Sequence, residues 1–572
     1  MRVTLSKSKN AEQVYITKAF RNEQGKSTSK IFKKLGTMAS LLPQFNNDRD
    51  QVIAWAKEQA AFYTLAERNE QLKVSVDFSE EKQIKMNERV LFNGGYLFLQ
   101  KLFYELGLND ICKVVESRHG FSYDLTEILS KLIYSRIIHP TSKRSSFEFS
   151  QNYIEQPKHE LHHIYRALDV LADESDYIQA QVYANSTLAS QRNTGVLYYD
   201  CTNYFFEIDK ESGLKQYGVS KEHRPNPIVQ MGLFLDGDGI PLAFSIFPGN
   251  ESEQPSLIPL EKQIIKDFEL SRFIVCTDAG LSSTENRKFN DIQNRSFIVT
   301  QSLKKMKKIY KDWVLSPTGW RIGEKEKEYD LTSVDEEQYY KTVFHKERWI
   351  HDNGFEQRLI VTFSFKYRNY QRSIRERQIN RAETIISKGK AAKTRNPNSP
   401  DRFIQENNLT DDGEIATQIT MTLNEEKIAD EESFDGFYAV CTTLEDNVSE
   451  IIKINQYRWK IESAFRVMKT EFKARPAYVR TDDRIKAHFL TCYLALLILR
   501  ILEKRLDNSF STEEILKALR EHNFYKIDGF GYTPAYQRTV LTDALHDAFG
   551  FRTDTEIISE KKIKKIIAET KR

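Results

Sequence analysis

Between residues 196 and 280 the hydrophobic pattern takes the period of a sheet, and this switch constrains the fold more than any other feature of the chain. VLYYDCTNYFF (196–206), IVQMGLFL (228–235) and PLAFSIF (241–247) read as three strands. The turns DGDG and PGN punctuate the last two. A helix is expected over 255–268, with Pro255 near its first turn. The strand FIVCTDAG (273–280) follows. Three sequential strands, a helix and a fourth strand predict an α/β layer with an antiparallel meander. Two of these strands carry a carboxylate, Asp200 at the centre of the first and Asp278 at the end of the fourth. A lone charge in an apolar strand costs several kcal/mol unless something compensates it.

At 572 residues the chain is too long for one core. Residues 14–35 predict a β-hairpin turning at Gln24-Gly25, within an N-terminal region 1–40. Residues 41–190 are helical in pattern, and Asp124 with Glu127 is spaced like a capping box. Residues 191–300 form the first part of the α/β core. Residues 301–450 are charged, with short strands such as RLIVTFSF (358–365), and predict a β-rich, basic insertion domain. Within it, Lys366–Arg402 holds eleven Lys/Arg against three acidic residues, a net charge of +8, and ends in the expected loop KTRNPNSPD. Residues 451–505 return to the core through a long helix, INQYRWKIESAFRVMKTEFK. Residues 506–572 are helical, with a capping box at Ser511 and Glu514, and are the expected dimerisation region.

The net charge of +3 says little about partners, so any nucleic-acid argument rests on local clusters. The five cysteines have no zinc or redox spacing, and their odd number suits a reducing compartment. The N-terminus lacks the apolar stretch of a signal peptide. FLTCYLALLIL (489–499) is too short to span a bilayer and reads as a buried helix.

At 100° per residue, Arg458, Glu462, Arg466 and Lys469 share one narrow helix face, beside an apolar stripe of Ile461, Phe465, Met468 and Phe472. Such a helix packs on something apolar while presenting a carboxylate among cations, and brings Glu462 to the sheet edge near Asp200 and Asp278. Three converging carboxylates repel one another. A divalent cation resolves that conflict, and hard oxygen ligands select Mg²⁺ or Mn²⁺. Two such ions suit in-line attack at a phosphodiester. Each residue alone also has a plainer reading: a strand-end aspartate, a loop opening at TDAG, and a salt-bridged surface helix.

The stretches YYDCTNYFFE, SKEHRPNPIVQMGLFLDGDGIPLAFSIFPGNESE, VCTDAGLSSTENR, FDGFYAVCTT and YRWKIESAFRVMKTEFKARPAYVRTDDRIKAHFLTCYLALLI together resemble the DDE transposases of bacterial insertion sequences. The resemblance is to the subgroup whose third signature combines Tyr, Arg, Glu and Lys on one helix. It implies an RNase H-like mixed-sheet core interrupted by a β insertion domain, with 183 residues between Asp278 and Glu462. It also implies that Asp200, Asp278 and Glu462 bind two Mg²⁺ or Mn²⁺ ions, and that Arg458 and Lys469 contact DNA near the cleavage point. The signature tyrosine is expected three residues before Arg458, where this chain has Asn455; Tyr457 stands adjacent instead.

Arg466 and Arg224 are further DNA-contact candidates, as are His223 and the basic stretch 366–402. Thr202, two residues after the first aspartate, is expected to face solvent. Trp459 offers a ring for an unpaired base but is expected in the core, and His488 is expected to be a satisfied helix histidine. The function so implied is cut-and-paste transposition: metal-dependent cleavage at element ends and strand transfer into target DNA. It would be performed by a homodimer or larger assembly on double-stranded DNA, in the cytoplasm at the nucleoid. The competing readings are a catalytically silent DNA-binding relative and a nuclease that cleaves without joining. The element that reads the DNA ends is expected within residues 41–190.

Overall fold

The computed structural model describes all residues except 9–10, 22–26, 72–73, 82, 293, 353, 389–397 and 410–414. It divides into two compact units, Met1–Glu88 and Arg89–Arg572. In the first, β1 (Arg2–Lys7), β2 (Glu12–Arg21) and β3 (Ser27–Thr37) form an antiparallel sheet in that order. The expected hairpin is β2–β3, though its turn lies outside the described residues. The boundary drawn at residue 40 falls instead after Glu88, because the helix Arg49–Gln71 closes the core under the sheet. Val52 and Ala56 from that helix pack with Val14, Met38 and Leu41.

The strands of the second unit are, in chain order, β4 (Leu91–Asn93), β5 (Val196–Phe205), β6 (Ile228–Asp236), β7 (Pro241–Pro248), β8 (Phe273–Thr277), β9 (Arg295–Thr300), β10 (Phe344–Asp352), β11 (Phe355–Phe363), β12 (Ile404–Leu409), β13 (Ile415–Leu423), β14 (Phe437–Thr442), β15 (Asn523–Ile527) and β16 (Gly531–Pro534). Eight of them make one mixed sheet in the order β10-β11-β14-β9-β8-β5-β6-β7. β5, β6 and β7 are the expected antiparallel meander, while β5–β8 and β8–β9 pair in parallel. Gly232 in β6 leaves room for Tyr199 of β5, whose hydroxyl takes the space that a Cβ would fill.

The segment expected to be a β-rich insertion domain contributes to the central sheet. Its β10–β11 hairpin pairs with β14 and extends the central sheet, and only the β12–β13 hairpin stands apart from it. The strands are rich in Phe, Leu, Ile and Val, and they bury this surface with Trp320, Phe344 and Phe434 against the sheet. The expected basic patch is also partly neutralised. Arg375, on the helix Phe365–Ser387, is buried and bonds both oxygens of Asp435. Arg368, Arg372 and Arg402 pair with Glu336, Glu432 and Glu431. Most of KTRNPNSPD lies outside the described residues.

The helical regions on either side of the sheet segments share its core. The helix Asp482–Arg505 is nearly all buried and packs on the helices Leu125–Ile138 and Leu161–Asp173 and on β7. Its length and composition would allow a membrane crossing, but 89% of its most apolar window lies inside the fold. Tyr493 at its centre donates to the carbonyl of Leu242, so even its polar atom is satisfied. Asp124 caps its helix by accepting from the Glu127 amide, but Glu127 itself turns away to His159 and the Lys158 amide. Ser511 and Glu514 form the full reciprocal box. All five cysteines are buried and free.

Candidate active site

Side chains alternate between the two faces of β5. Tyr199 and Cys201 enter the core beneath the helix Leu257–Asp267, whereas Tyr198 and Tyr204 enter the core shared with Asp482–Arg505. Asp200 and Thr202 therefore face the second side. The parallel register pairs Tyr198 with Cys276, so two residues on, Asp200 and Asp278 stand level on neighbouring strands. β8 pairs with β9 at Thr277 and Val299, which sets Thr300 level with Asp278. A row of Asp200, midway along β5, with Asp278 and Thr300 at the carboxyl ends of β8 and β9 thus crosses three parallel strands.

Asp278 accepts from the amides of Gly280 (2.9 Å) and Leu281 (3.1 Å), which fix it as the cap of the following turn. Asp200 accepts from the Cys201 amide at 2.7 Å. Burial raises the Asp200 carboxyl to about 6; Lys221 and Arg458 pull it down, and the charge of Asp278 pushes it up. The two aspartates therefore feel each other, and the cations around them only partly offset the conflict.

The helix expected over 454–473 is interrupted. Val448–Gln456 ends at Tyr457, Trp459–Arg466 begins after Arg458, and Val467–Glu471 widens into a π-turn. A uniform 100° step does not survive these breaks, so the four charged residues do not share one face. Arg458 donates from Nη1 to Thr300 Oγ1 at 3.0 Å. Lys469 is carried round by the π-turn and donates to Thr202 Oγ1 at 2.6 Å. Burial and nearby Lys221 lower the Lys469 ammonium to about 8, with Asp200 opposing. Glu462 and Arg466 are exposed. The stripe of Ile461, Phe465, Met468 and Phe472 is buried as expected.

Asp200 and Asp278 are thus brought together with Arg458 and Lys469 beside them. Glu462 is on the same short helix, one turn beyond Arg458, and lines a cavity of about 440 Å³ with Arg458, Trp459 and Tyr438. Its carboxylate does not form one close cluster with both aspartates. Among the described residues the only group with ligand atoms all within 4.8 Å of one another is Asp543, His546 and Asp554. Tyr457 is 37% exposed, under the Lys460 ammonium. Arg224 stacks on Phe205 at 4.2 Å, and His223 beside it is exposed with φ +56°.

Three expectations are corrected or met here. Thr202 is buried rather than solvated, because Lys469 needs an acceptor inside. Trp459 is 57% exposed rather than core, because the break at Arg458 turns it outward. His488 is buried and bonded to the Ala474 carbonyl, a satisfied helix histidine.

Sequence reasoning missed several participants. Lys221 donates to the Cys201 carbonyl (2.6 Å) and pairs with Glu253 (2.9 Å). Burial works against its charge, but Glu253 and Asp200 raise its pKa overall. Glu222 pairs with Arg475 and stands 3.9 Å from Lys469. Asn455, in the place of the signature tyrosine, donates to the Tyr438 hydroxyl at 2.9 Å. That hydroxyl also bonds Thr300 at 2.7 Å. A phenol from β14 therefore links Asn455 to Thr300, the partner of Arg458. Lys221 and Glu222 lie in the loop SKEHRPNP, which has no periodicity to point at them, and Tyr438 looks like any strand aromatic.

A family model described as the transposase DDE domain matches residues 205–498, more than half of the chain. The chain belongs to this family. The match includes Asp278 and Glu462 and begins just after Asp200. Membership in the transposase DDE domain family brings nuclease and transesterase chemistry, and reliance on divalent metal, in general terms. Among solved structures the chain is similar to the piggyBac transposase synaptic complex with hairpin DNA, at a TM-score of 0.36 and 8% identity, over 83% of this chain and 85% of that one. No curated protein matches it.

Proposed function

We propose that this transposase cuts DNA at the ends of an insertion sequence and joins them to a target by a cut-and-paste route, using Asp200, Asp278 and Glu462. The observation that carries the proposal is the parallel register that sets Asp200 level with Asp278 beneath Arg458 and Lys469. The strand order β7-β6-β5-β8-β9, an antiparallel meander continued by two parallel strands, supports reading this part of the sheet as an RNase H-like core.

The donors fit a hard divalent cation: all are carboxylate oxygens, and Asp200 is raised partly by Asp278, a conflict that a shared cation removes. Asp200 and Asp278 would hold Mg²⁺ or Mn²⁺, with Glu462 completing the set and two ions in the full site. Bound there, such ions activate a water or hydroxyl and stabilise the leaving oxygen of a phosphodiester. The chain's own cations do the rest. Arg458, fixed through Thr300, and Lys469, fixed through Thr202, present positive charge to the scissile phosphate from either side of the aspartates. Lys221 holds the mouth of the site positive, and Glu253 and Glu222 keep Lys221 and Arg475 from swinging into the aspartates. Arg466, Tyr457 and Arg224, on the surface around the site, would track the DNA backbone. Two ends held together call for two copies of the chain.

Purified protein incubated with labelled element ends, a target plasmid and Mg²⁺ tests this reading. Joined products are expected. Nicks alone would favour a nuclease, and binding without either a silent relative.

A further inference from the structure

We infer that Arg136, with Arg520 beside it, is a positioning residue for the joining reaction, holding the end of the π-turn that carries Lys469; this rests on the reading of Lys469 as a cation of the active site. Arg136 is out of place in its own helix. It lies in SKLIYSRII, where residues 128–138 are all buried, and is itself 3% exposed. A guanidinium so enclosed costs several kcal/mol unless its charge is paired or its donors are used. Among the described residues no carboxylate pairs with it. Its donors go to main-chain carbonyls instead: Nη2 to Thr141 at 3.2 Å, and Nη1 to Phe472 at 2.9 Å and Lys473 at 3.4 Å. Phe472 is 336 residues further along the chain, at the end of the helix that supplies the cations of the site.

Those carbonyls need partners, because a helix leaves its last carbonyls with no amide to bond. The amides of Phe472 and Ala474 turn back to Val467 and Met468 and close the turn. Between them Lys473 enters the left-handed region, with φ +45°. Each carbonyl from Glu471 to Ala474 is then taken by a side chain of another element. Arg520, on the helix Thr512–Glu521, donates to Glu471 at 3.4 Å. Arg136 takes Phe472 and Lys473, and His488 takes Ala474 at 3.0 Å. Phe472 and Ala474 are fully buried, so bulk water cannot stand in for these donors.

The clamp holds a winding that nothing local enforces. A π-turn carries one residue more than the α-turn it replaces, so its relaxation would rotate side chains by about 100° relative to the rest of the helix. Lys469 sits inside that turn and reaches Thr202 at 2.6 Å. Arg475, the residue after the four clamped carbonyls, pairs with Glu222, which stands 3.9 Å from Lys469. Arg136 thus acts on the site from behind, through main chain. The helical region before the sheet thereby takes a share in the reaction itself.

The test follows joining of labelled element ends to a target plasmid by the full chain with Mg²⁺, together with DNA affinity and melting temperature. Arg136→Lys keeps a buried donor but reaches fewer carbonyls, and Arg136→Met keeps the bulk and no donor. The joining rate should fall by about tenfold or more in Arg136→Lys, since a shift of ~1 Å at a reacting centre costs up to ~100-fold, and should fall further in Arg136→Met. DNA affinity should hold, because Lys469 is one phosphate contact among several. The double variant Arg136→Lys, Lys469→Met should join no more slowly than Lys469→Met alone, because the clamp then has nothing to position. A wild-type rate in Arg136→Lys overturns the inference. Losses that multiply in the double variant also overturn it, as the mark of a purely structural role. Where the Arg136 variants do not fold, Arg520→Gln, at the partly exposed end of the clamp, carries the same cycle with the same two outcomes. A wild-type rate in Lys469→Met sinks the reading of Lys469 and the clamp with it, whereas a loss there beside an unimpaired Arg136→Lys sinks the clamp alone.

Discussion

Two groups of acidic residues in this chain look alike on paper and differ in charge balance. Asp543, His546 and Asp554, near the C-terminus, have ligand atoms closer together than any other such group among the described residues. Yet Arg552 bonds Asp554 at 2.6 Å and Asp543 at 2.8 Å, and Arg538 bonds Asp543 at 2.8 Å. The hydrogen bond from Arg552 holds the Asp554 carboxyl at about 2, below its ordinary value. Those carboxylates already have their counter-ions. Asp200 and Asp278 are less tightly gathered, but among the described residues no arginine forks onto them, and Asp200 is raised to about 6. Close ligand geometry marks a settled salt-bridge network in the first case. An unsettled charge marks a place for a cation in the second.

That contrast can be broken most sharply by activity. Asp200→Asn or Asp278→Asn should lower strand joining by about 1000-fold or more while DNA binding persists, as losses of groups acting at the reacting centre do. Asp543→Asn should leave joining nearly unchanged, and an equal loss in a variant that melts like wild type would reverse the comparison. Calorimetric titration with Mn²⁺ sharpens it: the binding heat should vanish in Asp200→Asn and survive in Asp554→Asn.

Acid should act on the C-terminal group. Burial and neighbouring His546 hold His522 at about 3, against an ordinary 6.5, and burial lowers His546 as well. Both are neutral in the folded state. Their contribution to stability is complete above 6.5 and is lost as pH falls from there toward 3, because the unfolded chain takes up protons that the fold refuses. Urea midpoints measured across that window should fall. A His522→Gln, His546→Gln variant should show a flatter profile, and an identical one would remove the histidines from the account.

A smaller effect is expected at Tyr438. Tyr438→Phe deletes the hydroxyl shared by Thr300 and Asn455, loosening the partner of Arg458. The joining rate should fall by about tenfold with DNA affinity unchanged, the size of one lost hydrogen bond to a positioned group. Adding Asn455→Tyr, which returns a phenol to the helix, should restore part of the rate. Least of all, Asp554→Ala should cost about 1 kcal/mol of stability, since its arginine partners are partly solvated.

Much of the core was legible because it is local. The strands at 196–206, 228–235 and 241–247 alternate or run apolar within a few residues, and the turns between them are written in Gly, Asp and Pro. The catalytic helix was legible in its stripe but not in its shape. Neither the break at Tyr457-Arg458 nor the π-turn at Val467–Glu471 has a proline or glycine to announce it. The joining of β10–β11 to β14 was hidden for another reason: an edge strand reads the same whether it closes its own sheet or extends another.

The sequence alone determined that Asp200 sits in an apolar strand, that Asp278 ends another, and that Arg458, Glu462 and Lys469 recur along one helical segment. Periodicity and turn chemistry act over a few residues, so these facts needed nothing from elsewhere in the chain. Only the tertiary structure decided that Asp200 and Asp278 stand level, that Lys469 reaches Thr202 while Glu462 stays exposed, and that Arg368, Arg372 and Arg375 of the basic helix are already paired. Strand register across 78 residues, the distance from Asp200 to Asp278, is set by packing on both faces of a sheet. No stretch of chain encodes that packing by itself.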